Sequence, residues 1–136
     1  MKSGLGWIII ACFPAVLYSC KKEDVVDNNG LTGRWLLVEV YSGYTNGGNF
    51  KWNSVPFQNS HSLEFTADGK YIRRENSGVG LPECTGTWQL LPDMTLAVNS
   101  SCENATMKIS ELTNTSLIID YQVREGVIRY KYAAER

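Results

Sequence analysis

Apolar and polar side chains alternate along residues 84–102 on both sides of a turn at Pro92-Asp93. Alternation with a period of two is typical of a β-strand that has one buried face. When the stretch is folded into a hairpin centred on Asp93, its apolar residues pair as Trp88 with Val98 and Leu90 with Leu96. The polar residues then lie on the other face, so we predict an antiparallel strand pair with one face buried.

Two cysteines, Cys84 and Cys102, face each other in the same register. A shift of one residue would turn every side chain to the opposite face, so the cysteines and the apolar pattern support one alignment together. We therefore predict a Cys84–Cys102 disulfide that brackets the hairpin. Such a bond is compatible with an oxidising compartment outside the cytoplasm.

The rest of the folded domain predicts further short strands and no helix. The eight predicted strands cover residues 34–44, 60–66, 70–76, the two strands of the central hairpin, 105–112, 116–123 and 126–133. Turn residues separate most of them, including Asp68-Gly69 and a two-residue turn at Glu125-Gly126. Even spacing of short strands favours a sandwich or a barrel, and a meander of eight can close without a free edge. We predict an all-β antiparallel up-and-down barrel.

The outer hairpins also close with apolar residues on one face. The predicted pairs are Phe65 with Tyr71, Leu63 with Arg73, Ile109 with Ile119, Tyr121 with Tyr130, and Ile119 with Tyr132. Arg129 and Lys131 then point outward, together with Asp120 and Arg124.

Several motifs along this barrel resemble small bacterial lipocalin-like lipoproteins. They are Gly33-Arg34-Trp35, Leu63-Glu64-Phe65 before Ala67-Asp68-Gly69, Gly86-Thr87-Trp88, Ile109-Ser110-Glu111-Leu112 and Tyr130-Lys131-Tyr132. The resemblance extends over residues 31–133 and implies an eight-stranded lipocalin-like β-barrel. It also implies that Trp35 packs at the closed end under a basic residue of the last strand, either Arg129 or Lys131.

The N-terminal segment predicts export and lipidation. A short apolar run that contains Pro14 is followed by Leu17-Tyr18-Ser19-Cys20, which resembles a bacterial lipobox. We therefore expect residues 1–19 to be a lipoprotein signal peptide, residues 20–32 a flexible polar tether, and residues 33–136 the barrel domain. Cys20 would carry the lipid and hold the protein on the outer membrane, facing either the periplasm or the cell surface. Two alternatives remain. The segment is an ordinary secretory signal that leaves Cys20 free, or it is a short membrane anchor.

Composition argues against several classes of function. The net charge is −1 and no basic stripe is present, which argues against nucleic acid as a partner. His61 is the only histidine, and we interpret it as a polar residue near a loop end. Because no nucleophile, base and acid are suitably spaced and no metal-ligand cluster is seen, we expect a protein that is not an enzyme and has no cofactor or metal. We also expect it to be a monomer.

A binding function remains, with the barrel interior as the candidate site. The candidate ligand-binding residues are Glu39, Trp52, Phe65, Tyr71, Arg73, Trp88, Tyr121 and Tyr130. Glu39 shares a face with Trp35, so we expect it inside the barrel unless a bulge intervenes. Trp52 belongs to a loop over residues 45–59, which we expect to cover the cavity as a lid, to contact a partner, or to plug the barrel end.

The expected ligand is a small hydrophobic or amphipathic molecule. Two interpretations without a binding role remain open for the charged residues: Glu39 and Arg73 lie in water near the mouth of the barrel, or they pair with each other. Two other functions also remain open: a protein-interaction module such as a protease inhibitor, and a structural envelope lipoprotein with a filled barrel.

Overall fold

The structure is a computed structural model that describes residues 30–77 and 83–135. These residues form β1 (Gly33–Tyr44), β2 (Trp52–Ser54), β3 (His61–Phe65), β4 (Lys70–Glu75), β5 (Cys84–Leu91), β6 (Thr95–Ser100), β7 (Asn104–Leu112), β8 (Ser116–Val123) and β9 (Gly126–Glu135). Short 3-10 turns span Phe57–Asn59 and Pro92–Met94. All neighbouring strands are antiparallel. Apart from β2, which pairs with β1, they follow chain order around the barrel, and β9 pairs with β1 to close it. The eight-stranded up-and-down barrel is confirmed.

The central hairpin has the predicted register. Trp88 pairs with Val98 and Leu90 pairs with Leu96 across β5 and β6. The turn between the strands places Asp93 in the left-handed region at a φ of 61°. The predicted Cys84–Cys102 disulfide is present, with the two Cα atoms 5.5 Å apart. The disulfide joins the hairpin just beyond its last backbone pair.

Two other predicted registers are confirmed, and one is wrong. Phe65 pairs with Tyr71, Leu63 with Arg73, and Ile109 with Ile119, as predicted. Across β8 and β9, however, Tyr121 pairs with Ile128 and Ile119 pairs with Tyr130. The turn residues are therefore Arg124-Glu125, two residues out of the predicted register. A shift of two keeps every side chain on its face, so Tyr121 and Tyr130 still point inward.

The position of Gly126 explains why the turn lies one residue earlier than predicted. Gly126 begins β9, has a φ of 153°, and pairs with Tyr44 at the end of β1. A Cβ atom placed there would lie 2.0 Å from the carbonyl oxygen of Gly43. Gly126 is thus needed for the close approach of β1 and β9 rather than for the turn.

A β-bulge in β1 decides which side chains enter the barrel. Its pairing with β9 shifts between Leu37 and Glu39. Trp35 and Leu37 are buried in the core before the shift, and Val40 packs against the core after it. Because the extra residue reverses the alternation, Glu39 lies on the outer face. The bulge that the prediction allowed for is present, so Glu39 does not enter the barrel as expected without it.

The closed end of the barrel is filled by side chains. Trp35 is buried there, and its Nε1 donates a hydrogen bond to the Leu31 carbonyl oxygen at 2.9 Å. On the last strand its partner is Ala134. The basic residues Arg129 and Lys131 point outward, as predicted, and form ion pairs with Asp120 and Glu39. The implied packing of either basic residue under Trp35 is wrong.

We expect the disulfide to stabilise the barrel measurably. Its cysteines are 18 residues apart, and the chain-entropy model gives about 3 kcal/mol for closing loops of similar length. Changing Cys84→Ser together with Cys102→Ser should therefore lower the free energy of unfolding by about 3 kcal/mol in urea titrations. Reduced wild-type protein is the matched control and should behave like the double variant. Identical midpoints for oxidised and reduced protein would contradict this prediction.

Candidate functional site

The strand directions give the barrel two unlike ends. The segments 45–60, 76–83, 101–103 and 124–125 connect strands at one end, which we call the open end. Toward the other end the interior is filled by buried apolar side chains. Toward the open end the inner face becomes polar, and we define the cup as Arg73, Glu75, Tyr121 and Tyr130 on the strands together with Glu103 from the loop.

Arg73 and Glu75 occupy successive inward positions at the end of β4. Arg73 faces Leu63 and Glu75 faces His61, both across β3. The Nε of Arg73 donates a hydrogen bond to Oε1 of Glu75 at 2.8 Å. The two side chains are 30% and 32% exposed, so water reaches an ion pair that lies on the inner face of the barrel.

Tyr71 is tied to the loop that carries Glu103. Its hydroxyl donates a hydrogen bond to Glu103 Oε1 at 2.7 Å. Burial, the hydrogen bond to Glu103 and the charge of that residue together raise the pKa of Tyr71. The tyrosine therefore stays protonated and acts as a donor to the carboxylate.

The strand register explains how Tyr71 reaches Glu103. Tyr71 pairs with Gly86, Gly86 pairs with Ser100, and Ser100 is hydrogen-bonded to the backbone of Glu103. Because Gly86 has no side chain, no side chain of β5 stands between the two residues in this row. A Cβ atom at Gly86 would lie 2.0 Å from the Asn99 carbonyl oxygen, so the close approach of β5 and β6 also requires glycine.

Tyr121 and Tyr130 form an aromatic wall of the cup. Their ring centroids are 4.9 Å apart and their planes are inclined at 76°, an edge-to-face arrangement. Burial raises the pKa of Tyr121, the charge of Glu103 raises it further, and the charge of Arg73 opposes the shift. Two of the three charged residues of the cup, Glu103 and Arg73, therefore act on the Tyr121 hydroxyl.

His61 forms part of the floor beneath the cup, and the sequence interpretation missed it. It is only 6% exposed, and its Nε2 is hydrogen-bonded to the Tyr132 hydroxyl at 3.0 Å. Burial lowers the pKa of His61 to about 4, with Arg73 adding to the shift and Glu75 opposing it. The parity of His61 with Leu63 and Phe65 was a usable signal, because all three share the inner face of β3.

Trp52 lies outside the barrel and does not cover the cup. The short strand β2 pairs with residues 39–41 of β1 within the sheet, and Trp52, the partner of Tyr41, points to the outer face. Trp52 is 39% exposed, and its ring centroid is 5.5 Å from that of Tyr41. The Lys131 ammonium lies 5.9 Å from the Trp52 ring centroid and pairs with Glu39 at 3.1 Å. The expected location of Trp52 over the mouth is wrong.

The structure brings together only part of the predicted set. Arg73, Tyr121 and Tyr130 line the cup, whereas Tyr71 is only 2% exposed and belongs to the buried core, from which its hydroxyl reaches Glu103. Phe65 and Trp88 belong to the packed core, where their rings meet edge-on with centroids 5.5 Å apart. Glu75 and Glu103 are additions that the sequence interpretation missed. No strand pattern covers Glu103, while Glu75 could have been found from its parity with Arg73.

The predicted signal peptide, Cys20 and residues 20–29 of the predicted tether lie outside the described residues. Within residues 30–77 and 83–135, no group of three or more His, Cys, Asp or Glu side chains is placed to hold a metal ion. In the same part of the chain, no helix has the length and apolar character needed to cross a membrane.

Comparison with solved structures identifies the fold. The chain is similar to a lipocalin-like protein from Bacteroides uniformis, with a TM-score of 0.57 and 15% identity over 78% of this chain and 99% of that chain. It is also similar to an uncharacterized protein from Bacteroides eggerthii, with a TM-score of 0.55 and 17% identity over 76% of this chain and 98% of that chain. No protein-family model and no curated protein matches the sequence. The protein has the lipocalin-like barrel fold.

His61 should make stability fall on mild acidification. Because its folded-state pKa is lowered to about 4 from 6.5, the unfolded chain binds the proton more readily between these values. The contribution of neutral His61 to the free energy of unfolding should be fully present above pH 6.5. It should fall toward pH 4, by on the order of 2–3 kcal/mol. Urea titrations across this range should show a smaller loss for His61→Gln than for the wild type. Parallel profiles for the two proteins would contradict the assignment.

Proposed function

We propose that this protein binds a small molecule in the cup at the open end of its barrel, and that it does so as a non-enzymatic lipoprotein of the cell envelope. The observation that carries the proposal is the Arg73–Glu75 ion pair, which faces inward and yet is reached by water. A lipocalin-like barrel offers an interior for one small ligand when side chains do not fill it.

The chemistry of the cup supports binding. Charges inside a barrel are costly unless they are paired and hydrogen-bonded, so a barrel that served only as a packed scaffold gains little from Arg73 and Glu75. Small-molecule sites combine apolar or aromatic walls with a few convergent polar groups. Tyr121 and Tyr130 provide the wall, while Arg73, Glu75 and Glu103 provide the polar groups.

Binding is better supported than catalysis by the state of the histidine. His61 is buried, hydrogen-bonded to Tyr132 and kept neutral at neutral pH by its lowered pKa of about 4. A general base works best with a pKa near the working pH and with access to the substrate proton. His61 meets neither condition, and we assign it to the structure of the floor.

Export and lipid anchoring rest on the N-terminal sequence. Leu17-Tyr18-Ser19-Cys20 resembles a lipobox, and the Cys84–Cys102 disulfide fits an oxidising compartment outside the cytoplasm. We therefore propose an outer-membrane lipoprotein whose barrel faces the periplasm or the cell surface.

A second candidate function is contact with another protein through the 45–59 segment. One observation favours it: Phe50, Trp52 and Phe57 are all exposed large hydrophobic side chains within this segment. Clustered exposed aromatic residues are typical of interaction surfaces.

Native mass spectrometry of protein purified from its own cells tests the cup. We expect a small bound mass that is lost when Arg73→Gln and Glu75→Gln are combined, a change that removes both charges without leaving either unpaired. Trp52→Ala is the matched control, because it alters an aromatic residue on the outer face, and it should retain the bound mass. Wild-type protein without a small bound mass would argue against the proposal. Loss of a bound protein in Trp52→Ala alone would favour the second candidate.

Cys20→Ala tests the anchor. Without the thiol no lipid can be attached, so the variant should leave the membrane fraction or accumulate as an unprocessed precursor. Membrane fractionation and intact-mass measurement give the result, with Cys12→Ala as the control that should change neither. A Cys20→Ala protein with unchanged fractionation and unchanged processing would rule out lipidation at this residue.

A further inference from the structure

The charges that face into the cup are unequal. Two carboxylates, those of Glu75 and Glu103, accompany one guanidinium, that of Arg73. We propose that the cup binds an organic cation, namely a small molecule that carries a protonated amine on an aromatic or aliphatic body. This inference rests on the proposed function, because it names the class of ligand for the same site.

Three basic side chains near the cup in sequence or register point away from it. Arg129 and Lys131 lie on the outer face, where they pair with Asp120 and Glu39. Arg74 also points outward and is paired with two glutamates. The loop residues 78–82 are Gly-Val-Gly-Leu-Pro and contribute no charged side chain by sequence.

Neither the turn between β8 and β9 nor His61 changes this excess of negative charge. The turn between β8 and β9 carries Arg124 and Glu125, whose charges are opposite, and Glu125 accepts a hydrogen bond from the Thr45 hydroxyl at 3.1 Å. On the floor, His61 is neutral at neutral pH because burial lowers its pKa to about 4. Among the side chains that line the cup, one negative charge therefore remains for a ligand to neutralise, while Lys51 of the 45–59 segment is exposed to solvent.

Glu103 is the carboxylate that a cation would meet. Glu75 already pairs with Arg73, whereas the partner of Glu103 Oε1 is the neutral Tyr71 hydroxyl. Among the described residues, no ion pair involves Glu103 within 4.0 Å. A hydrogen bond from a neutral donor does not cancel the charge, so a ligand cation near Glu103 gains the full attraction.

The loop around Glu103 is held before any ligand arrives. Ser100 accepts a hydrogen bond from the Glu103 backbone N–H at 3.1 Å, and its own backbone N–H donates to the Glu103 carbonyl oxygen at 2.7 Å. The preceding residue, Cys102, is joined to β5 by the disulfide. A carboxylate held in place in this way costs little ordering entropy on binding.

The aromatic wall suits the same class of ligand. In an edge-to-face pair one ring keeps both faces clear of its partner, and Tyr121 and Tyr130 are arranged in this way. Ring faces attract cations, and aromatic residues beside a carboxylate recur where proteins bind amines. The Tyr121 hydroxyl is also close enough to Glu103 for that charge to raise its pKa.

An anionic ligand fits the cup less well. To reach Arg73 a carboxylate would have to displace Glu75 from a hydrogen bond of 2.8 Å. It would then lie among two protein carboxylates, and like charges at close range disfavour binding.

Three probes with one skeleton test the inference: 2-phenylethylamine, 2-phenylethanol and 3-phenylpropionate. Their affinities can be measured by calorimetry and by saturation-transfer NMR at pH 7. We expect the amine to bind at least about tenfold more tightly than the alcohol, and the propionate to bind most weakly. Because the preference arises from charge, the amine affinity should fall with added salt while the alcohol affinity stays nearly constant.

The variant Glu103→Gln should bring the amine affinity down to that of the alcohol and leave the alcohol affinity within about twofold. Glu111→Gln removes an exposed carboxylate far along β7 and is the matched control that should change nothing. If Glu103→Gln fails to fold, the salt dependence of the wild type still decides the question. Equal amine and alcohol affinities, or a preference for the propionate, would overturn the inference but leave the proposed function standing. Absence of binding by all three probes would also overturn the inference, whereas the proposed function is decided separately by the bound mass in native mass spectrometry.

Discussion

The pairing of β1 with β9 closes the barrel and separates an inside from an outside along both strands. Within that pairing, the bulge between Leu37 and Glu39 reverses the alternation of β1. Trp35 and Leu37 therefore fill the core, while Glu39 and Tyr41 stand outside among the basic residues of β9. Without the bulge, Glu39 would enter the apolar interior, where an unpaired charge is strongly disfavoured. Among the candidate charges, Glu39 is the one whose location this local irregularity decides.

The two halves of the interior serve different purposes. The closed half is packed with apolar and aromatic side chains, and its indole nitrogens are satisfied by backbone oxygens: Trp35 donates to Leu31 and Trp88 to Thr66. The open half holds charges that water reaches. The packed half thus supplies most of the apolar burial of this small barrel, whereas the open half leaves polar side chains in contact with water. The disulfide and the Ser100 hydrogen bonds extend rigidity into the loop at the open end.

Local patterns predicted most of the fold. The apolar alternation and the equidistant cysteines were sufficient for the β5–β6 register, and the Asp68-Gly69 turn was sufficient for the β3–β4 register. The β8–β9 register was missed by two residues because such a shift keeps every residue on its face, so the apolar pattern cannot detect it. What distinguished the two alignments was the close approach of Gly126 to Gly43, which is a contact between strands far apart in the chain.

The candidate site was predictable only where it follows strand parity. Arg73, Tyr121 and Tyr130 were placed inside by alternation alone, and the same rule reaches His61 and Glu75. Glu103 lies in a loop without periodicity, and its contact with Tyr71 depends on a row of strand partners through Gly86. Trp52 was misplaced because the direction in which a long loop folds is decided by what it packs against, here the ring of Tyr41. The sequence by itself therefore determined which strands form and which faces they bury, since these depend on neighbouring residues. Only the tertiary structure decided the bulge and the loop contacts, and hence that Glu103 joins the cup while Glu39 does not, since these depend on contacts between distant segments.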